Sequence, residues 1–274
     1  MRIMAVINQK GGCGKTTTAI NLSACLAELG CEVLLMDLDP QGHSGLGLGV
    51  TPAPSRKGMY EALTREATLE EVIHPVRTNL DLVPAGITLA ALEQRLAGTD
   101  QRESQLPLII SQMKRYYDYI LLDCPPSLGL LTINALMASS EVLVPLEAGV
   151  FSLHGMGRLL ETIDLVKTHG QRTLKVRLLV TLYDGRTNHS KAVLGQVSET
   201  FGDLLLKTII RQTVRLREAA RAGLPIAEYD RTSRGYEDYN ALAREMMAAE
   251  EQTVLPIIPE KDFLETLEQV MKRS

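Results

Sequence analysis

Short, nearly unbroken apolar runs recur along the chain, separated by stretches with helical spacing. IMAVI (3–7), EVLLMDL (32–38), LDLV (80–83), YILLDC (119–124), EVLVPL (141–146), VRLLVTL (176–182) and LLLKTII (204–210) read as strands. A strand with one wet face alternates apolar and polar residues; these do not, so both faces are covered. Strands alternating with helices predict an α/β fold: a doubly wound, mostly parallel sheet with helices on both faces and ligands at the carboxyl ends of the strands. The pattern changes after about residue 250. EEQTVLPIIPEKD is extended and carries two prolines, and FLETLEQVMKRS then restores a helical stripe of Phe263, Leu264, Leu267, Val270 and Met271. The expected organisation is one domain over residues 1–250 and a C-terminal extension, 251–274, with an amphipathic helix.

Composition narrows the class. The chain has 274 residues, 45% apolar and 23% charged, enough for a full core in one domain. No stretch reaches the ~18 uninterrupted apolar residues of a membrane span, and the N-terminus enters a strand without a basic leader. A soluble, cytoplasmic protein is expected. Cys13, Cys25, Cys31 and Cys124 are scattered, with no C-x-x-C pair, so neither disulfides nor a zinc site are expected. On the last helix, Lys261, Lys272 and Arg273 face Glu260, Asp262, Glu265 and Glu268. A membrane-surface helix is richer in lysine and arginine, so this one should pack on protein.

Chemistry concentrates in VINQKGGCGKTTTAINLS (6–23). The common phosphate-loop pattern needs a glycine five residues before Gly14, where this chain has Gln9, followed by a second lysine, Lys10. Gly11, Gly12, Cys13 and Gly14 nevertheless follow a strand and precede a helix expected from about Lys15. Their backbone N–H groups, with those of Lys15, Thr16 and Thr17 at the positive helix end, should converge on a polyphosphate. Lys15 would neutralise the β- and γ-phosphates, and the Thr16 hydroxyl would complete the coordination of Mg²⁺. Asp37 and Asp39 in LLMDLDPQG and Asp123 in YILLDCPPS end their strands beside that loop. Asp123 fits a Mg²⁺-water ligand, and Asp39 a residue that orients or deprotonates the attacking water.

QKGGCGKTTTAINL, DLDPQG, YDYILLDCPPSLGLLTINAL, LVTLYDGRTN and VRLREAARAGLPIAEYDRTSRG occur in order between residues 1 and about 247. Together they resemble the ParA (Soj) family of partition ATPases, within the ParA/MinD superfamily with a deviant Walker A loop. The resemblance implies Mg²⁺-dependent ATP hydrolysis by a dimer that forms with ATP. It implies that Lys10 reaches the phosphates bound by the partner subunit while Lys15 serves its own. It further implies sequence-independent binding of double-stranded DNA through Arg186 in YDGRTN and Arg215 in TVRLREA, nucleoid association, and a ParB-like centromere-binding partner that stimulates hydrolysis.

Charge agrees with this locally rather than globally. The chain is net −4, yet residues 207–234 hold Lys207, Arg211, Arg215, Arg217, Arg221, Arg231 and Arg234 against Glu218, Glu228 and Asp230. Such a separation can focus a phosphate-binding patch on one face. Two departures from the family pattern stand near it. Ile210-Arg211-Gln212-Thr213 replaces the common Ile-Pro-Arg-Asn, and Gly149-Val150-Phe151 replaces an acidic residue and a tyrosine pair. Three other readings share the scaffold: a MinD-like membrane-positioning ATPase, an orphan ParA-like ATPase positioning another cargo, and a metal-cluster carrier, which would need paired cysteines.

Overall fold

Alternate residues of each central strand feed two separate cores, which is why those strands read as continuous apolar runs. In the computed structural model, which describes residues 1–51, 56–147, 156–170 and 173–249, β1 (Arg2–Val6) sends Ala5 to one face and Met4 and Val6 to the other. β5 (Tyr119–Asp123) divides Ile120 and Leu122 from Tyr119 and Leu121 in the same way. This is the two-residue period of a pleated strand with both faces buried.

The sheet order is β3-β4-β2-β5-β1-β6-β7. Here β2 is Val33–Asp37, β4 Leu80–Val83, β6 Glu141–Glu147 and β7 Lys175–Thr181, and these run parallel with β1 and β5. The edge strand β3 (His74–Arg77) is antiparallel to β4 and irregular between Pro75 and Arg77. It is absent from the expected strands because HPVR carries a proline and little apolar content, as befits an edge. The mostly parallel, doubly wound sheet is as expected.

One expected strand is not a strand. Residues 204–210 run alongside β7 and exchange ladder-like bonds with Leu178 and Val180. Between those bonds, the N–H groups of Lys207 and Thr208 donate instead to the Glu245 carboxylate. A side chain thus diverts the backbone of an apolar run from pairing.

One face is covered by α1 (Lys15–Glu28), α2 (His43–Gly47), α10 (Val214–Ala222), α11 (Ile226–Tyr229) and α12 (Arg234–Ala248). The other carries α3 (Met59–Leu63), α4 (Leu69–Val72), α5 (Leu92–Arg95), α6 (Gln105–Ser111), α7 (Leu130–Ala138), α8 (Met156–Gly170) and α9 (Asn188–Phe201). Thr213 and Ser233 cap α10 and α12 by accepting backbone N–H bonds from Arg215 and Tyr236. Tyr239 of α12 is buried against α1, its hydroxyl 3.1 Å from the Thr18 hydroxyl. The expected extension at 251–274 and the Gly149-Val150-Phe151 run lie outside the described residues.

Register places the chemistry. Asp37 of β2 and Val6 of β1 both align with Asp123 of β5, so two carboxylates stand side by side where β1 releases the glycine loop. Glu147 and Thr181 are likewise adjacent at the ends of β6 and β7.

Candidate nucleotide-binding site

The loop after β1 is shaped by two glycines with left-handed backbones, Gly12 at φ 76° and Gly14 at φ 89°. A side chain is strained at such angles, so these positions favour glycine. Gly14 is the N-cap of α1, and its carbonyl accepts from the Thr18 N–H at 2.8 Å. The open N–H groups of the first helical turn therefore face the loop.

Strand ends hold the loop at two points. The Thr181 hydroxyl donates to the Cys13 carbonyl at 2.8 Å, and Glu147 accepts from the Lys10 ammonium. Asn8 braces the approach: its amide donates to the Pro145 carbonyl at 2.7 Å while its side-chain oxygen accepts from the Lys10 N–H at 3.0 Å. The buried Cys13 thiol donates to the Lys10 carbonyl, and burial pushes its pKa up, so it stays a thiol. The two lysines differ sharply. Lys15 is only 8% exposed, with Nζ 3.1 Å from the Lys10 carbonyl. The Lys10 side chain is 37% exposed and reaches outward to Glu147.

Beside the loop lies an acidic pair. Asp37 is fully buried and accepts the Asp39 and Ser44 N–H groups, each at 3.0 Å. The Ser44 hydroxyl donates to Asp123 Oδ2 at 2.8 Å. Asp123 Oδ1 is buried with no hydrogen-bond partner. Burial raises the Asp123 pKa to about 6, against the pull of the Ser44 and Thr16 hydroxyls. Asp37 is also raised, first by burial and then by the charge of Asp123. Asp39 is half-buried in a turn closed by its own carboxylate and carbonyl, which accept from the N–H groups of Gln41 and Gly42. An orphan carboxylate oxygen beside a threonine hydroxyl at a helix N-terminus fits Mg²⁺, an ion that takes one or two carboxylates and keeps several waters. Among the described residues no group of three or more His, Cys, Asp or Glu side chains is arranged to hold a metal.

The two arginines expected at DNA sit on neighbouring segments, joined by backbone bonds from Tyr183 to Ile210 and from Gln212 to Tyr183. Arg186 grips Asp184 with two bonds, at 2.8 and 2.7 Å. Arg215, in the first turn of α10, pairs with Glu218 and Asp230. Arg211 is locked by Asp238 and Glu237 of α12, which removes one charge from the open basic stretch.

The sequence matches the family model described as an AAA domain over residues 1–176. It is 45% identical over 249 residues to the sporulation initiation inhibitor protein Soj of Bacillus subtilis, covering 90% of this chain and 98% of that one. It is 44% identical over 248 residues to the chromosome partitioning protein ParA of Myxococcus xanthus, covering 90% and 88%. The chain belongs to the ParA (Soj) family of partition ATPases. Among solved structures, a cobyrinic acid a,c-diamide synthase from Mycobacterium smegmatis with bound ATP analog and magnesium matches at a TM-score of 0.83 and 33% identity, covering 94% of this ParA-family chain and 99% of that one.

Sequence reading alone did not find the residues that brace this ATPase's loop. Glu147 and Thr181 are ordinary strand-end residues until the register of β6 and β7 puts them against Lys10 and Cys13. Ser44 bridges the acidic pair from a short helix with no periodic signature. A polar residue five to seven positions after a strand-end aspartate was the only available signal.

Proposed function

We propose that this ATPase is a DNA-bound switch: MgATP joins two copies, the pair holds DNA without reading its sequence, and hydrolysis releases it. The observation that carries this reading is the divided environment of the two loop lysines. Lys15 is buried against its own loop, whereas Lys10 stands half-exposed at the loop's mouth. A second cation so placed is suited to phosphates presented by another subunit, where charge develops during phosphoryl transfer.

In this reading the N–H groups of Gly11, Gly12, Cys13, Gly14, Lys15, Thr16 and Thr17 cradle the phosphates, and Lys15 neutralises them in its own subunit. Thr16 and Asp123 would hold Mg²⁺, which when bound would supply charge neutralisation at the phosphoryl oxygens. Asp39 positions the attacking water, and Lys10 acts in trans. Asp37 keeps Asp39 and Ser44 in place through their N–H groups. Arg186 and Arg215 contact DNA phosphates, which makes binding salt-dependent and indifferent to sequence.

The switch would run in the cytoplasm on the nucleoid, in chromosome or plasmid partition, with a ParB-like partner stimulating hydrolysis. Its ATPase domain is assigned to residues 1–250, with 251–274 as an extension. Among the described residues no helix is long and apolar enough to cross a membrane.

The test is DNA co-sedimentation with ATP, ADP or no nucleotide across a salt series. Retention only with ATP, falling steeply with salt, is expected. Retention independent of nucleotide would overturn the switch.

A further inference from the structure

The arginines of α10 lie on different sides of the helix. Arg215 and Arg217 are two positions apart, roughly 200° around the axis, whereas Arg217 and Arg221 lie within roughly 40° of each other. Arg215 is occupied by Glu218 and Asp230. The side chains of Arg217 and Arg221 are exposed and make no ion pair or hydrogen bond with any described residue.

Arg217 borders a cavity of about 330 Å³ that opens directly off the phosphate loop. Gly12, Gly14 and Thr17 form its loop side, and Leu182, Ile210 and Leu216 give it apolar walls. That volume is at the small end for a ligand pocket, about 300–1,000 Å³, and suits part of a ligand whose charged remainder lies outside. Gln212, also on its border, offers both a hydrogen-bond donor and an acceptor beside the hydroxyl-bearing Thr181 and Thr213.

We propose that the cavity takes the base and sugar of the nucleotide whose phosphates lie on the loop, and that Arg217 stacks its guanidinium on the base. A planar guanidinium over an aromatic face is attractive and leaves its edge solvated, which suits an exposed arginine without a carboxylate partner. Arg217 is therefore an affinity determinant of the nucleotide site, although it lies in the basic stretch that also carries Arg215. The proposal rests on nucleotide binding by the loop, and not on the DNA switch.

Calorimetric titrations of the full chain with MgATP, MgADP and magnesium tripolyphosphate test it. Arg217→Ala should weaken both nucleotides about tenfold, the scale of a cation–π contact, and leave tripolyphosphate unchanged. Arg217→Gln should behave as the alanine variant does, since it too lacks the charged plane. DNA retention at saturating ATP should persist in both. An equal loss for tripolyphosphate would make Arg217 a phosphate ligand and overturn the stacking assignment. Unaltered ATP affinity with lost DNA retention would overturn it in favour of the DNA surface. Nucleotide-independent DNA retention by the unmodified protein would sink the switch alone and leave the Arg217 result standing.

Discussion

Glu147, the last residue of β6, holds the ammonium of Lys10 at the mouth of the phosphate loop. Both side chains are more than a third exposed, so solvent screening limits the pair to about 0.2–1 kcal/mol. It is a weak brake on a lysine assigned to the other subunit. Glu147→Gln should therefore favour ATP-dependent dimers by about two- to fivefold, measured by analytical ultracentrifugation. A weaker dimer would mean that Glu147 aims Lys10 at its partner instead of restraining it. Lys10→Ala should keep ATP bound to the monomer and lose dimer-coupled hydrolysis.

The buried acids set a pH dependence. Asp123 rises from 3.8 to about 6 on folding, chiefly through burial. An acid whose pKa is higher in the folded state binds more protons there, so its contribution to stability is complete below 3.8 and is lost as pH climbs through about 6. In nucleotide-free protein, the melting temperature of Asp123→Asn relative to the unmodified chain should rise between about pH 4 and pH 7, a range that covers the shift from 3.8 to about 6. A constant difference across that range would contradict the raised acid. Adding MgATP should stabilise the unmodified protein more at the upper end, because Mg²⁺ takes the ionised carboxylate.

Carboxylates already occupy both arginines assigned to DNA. Arg215→Glu should reduce ATP-dependent DNA retention by about tenfold or more at moderate salt while leaving nucleotide affinity intact. Glu218→Gln and Asp184→Asn should act oppositely, because the first removes one of the two carboxylates on Arg215 and the second removes the carboxylate on Arg186. The Asp184 carboxyl is held at about 2 by its bonds from Arg186, so acidification above that value will not free the arginine. Equal retention by Arg215→Glu and the unmodified protein in filter-binding assays would remove Arg215 from the interface.

Asp39 carries the hydrolytic step in this reading. Asp39→Ala should lower ATP turnover by about a hundredfold or more, the usual cost of losing a positioned base. ATP should remain bound, and DNA retention should outlast a chase with excess ADP. Release at the unmodified rate would place water activation elsewhere.

What the sequence made legible follows from what is local. The glycine loop, the start of α1 at Lys15 and the aspartates at the ends of β2 and β5 all follow from strand-turn-helix order, and the structure has them there. Distant partners were out of reach. Glu147 and Lys10 are 137 positions apart and meet only because β1 and β6 are neighbours. The 204–210 run has the composition of a strand, and only the Glu245 carboxylate on α12 explains why it is not one. Arg211 counted toward a basic surface until α12 brought Asp238 against it.

The sheet margins bear on how copies of this chain can meet. At one end, β3 is four residues long, contains Pro75 and breaks register; at the other, residues 204–212 occupy much of the open side of β7. Short, irregular or covered edges resist pairing with another sheet. Sideways growth into a continuous sheet is thereby discouraged at both margins, which leaves the strand ends and helix faces as the surfaces through which copies would meet. An edge so closed off fits the proposed switch, in which copies would join through bound nucleotide and not through backbone templating.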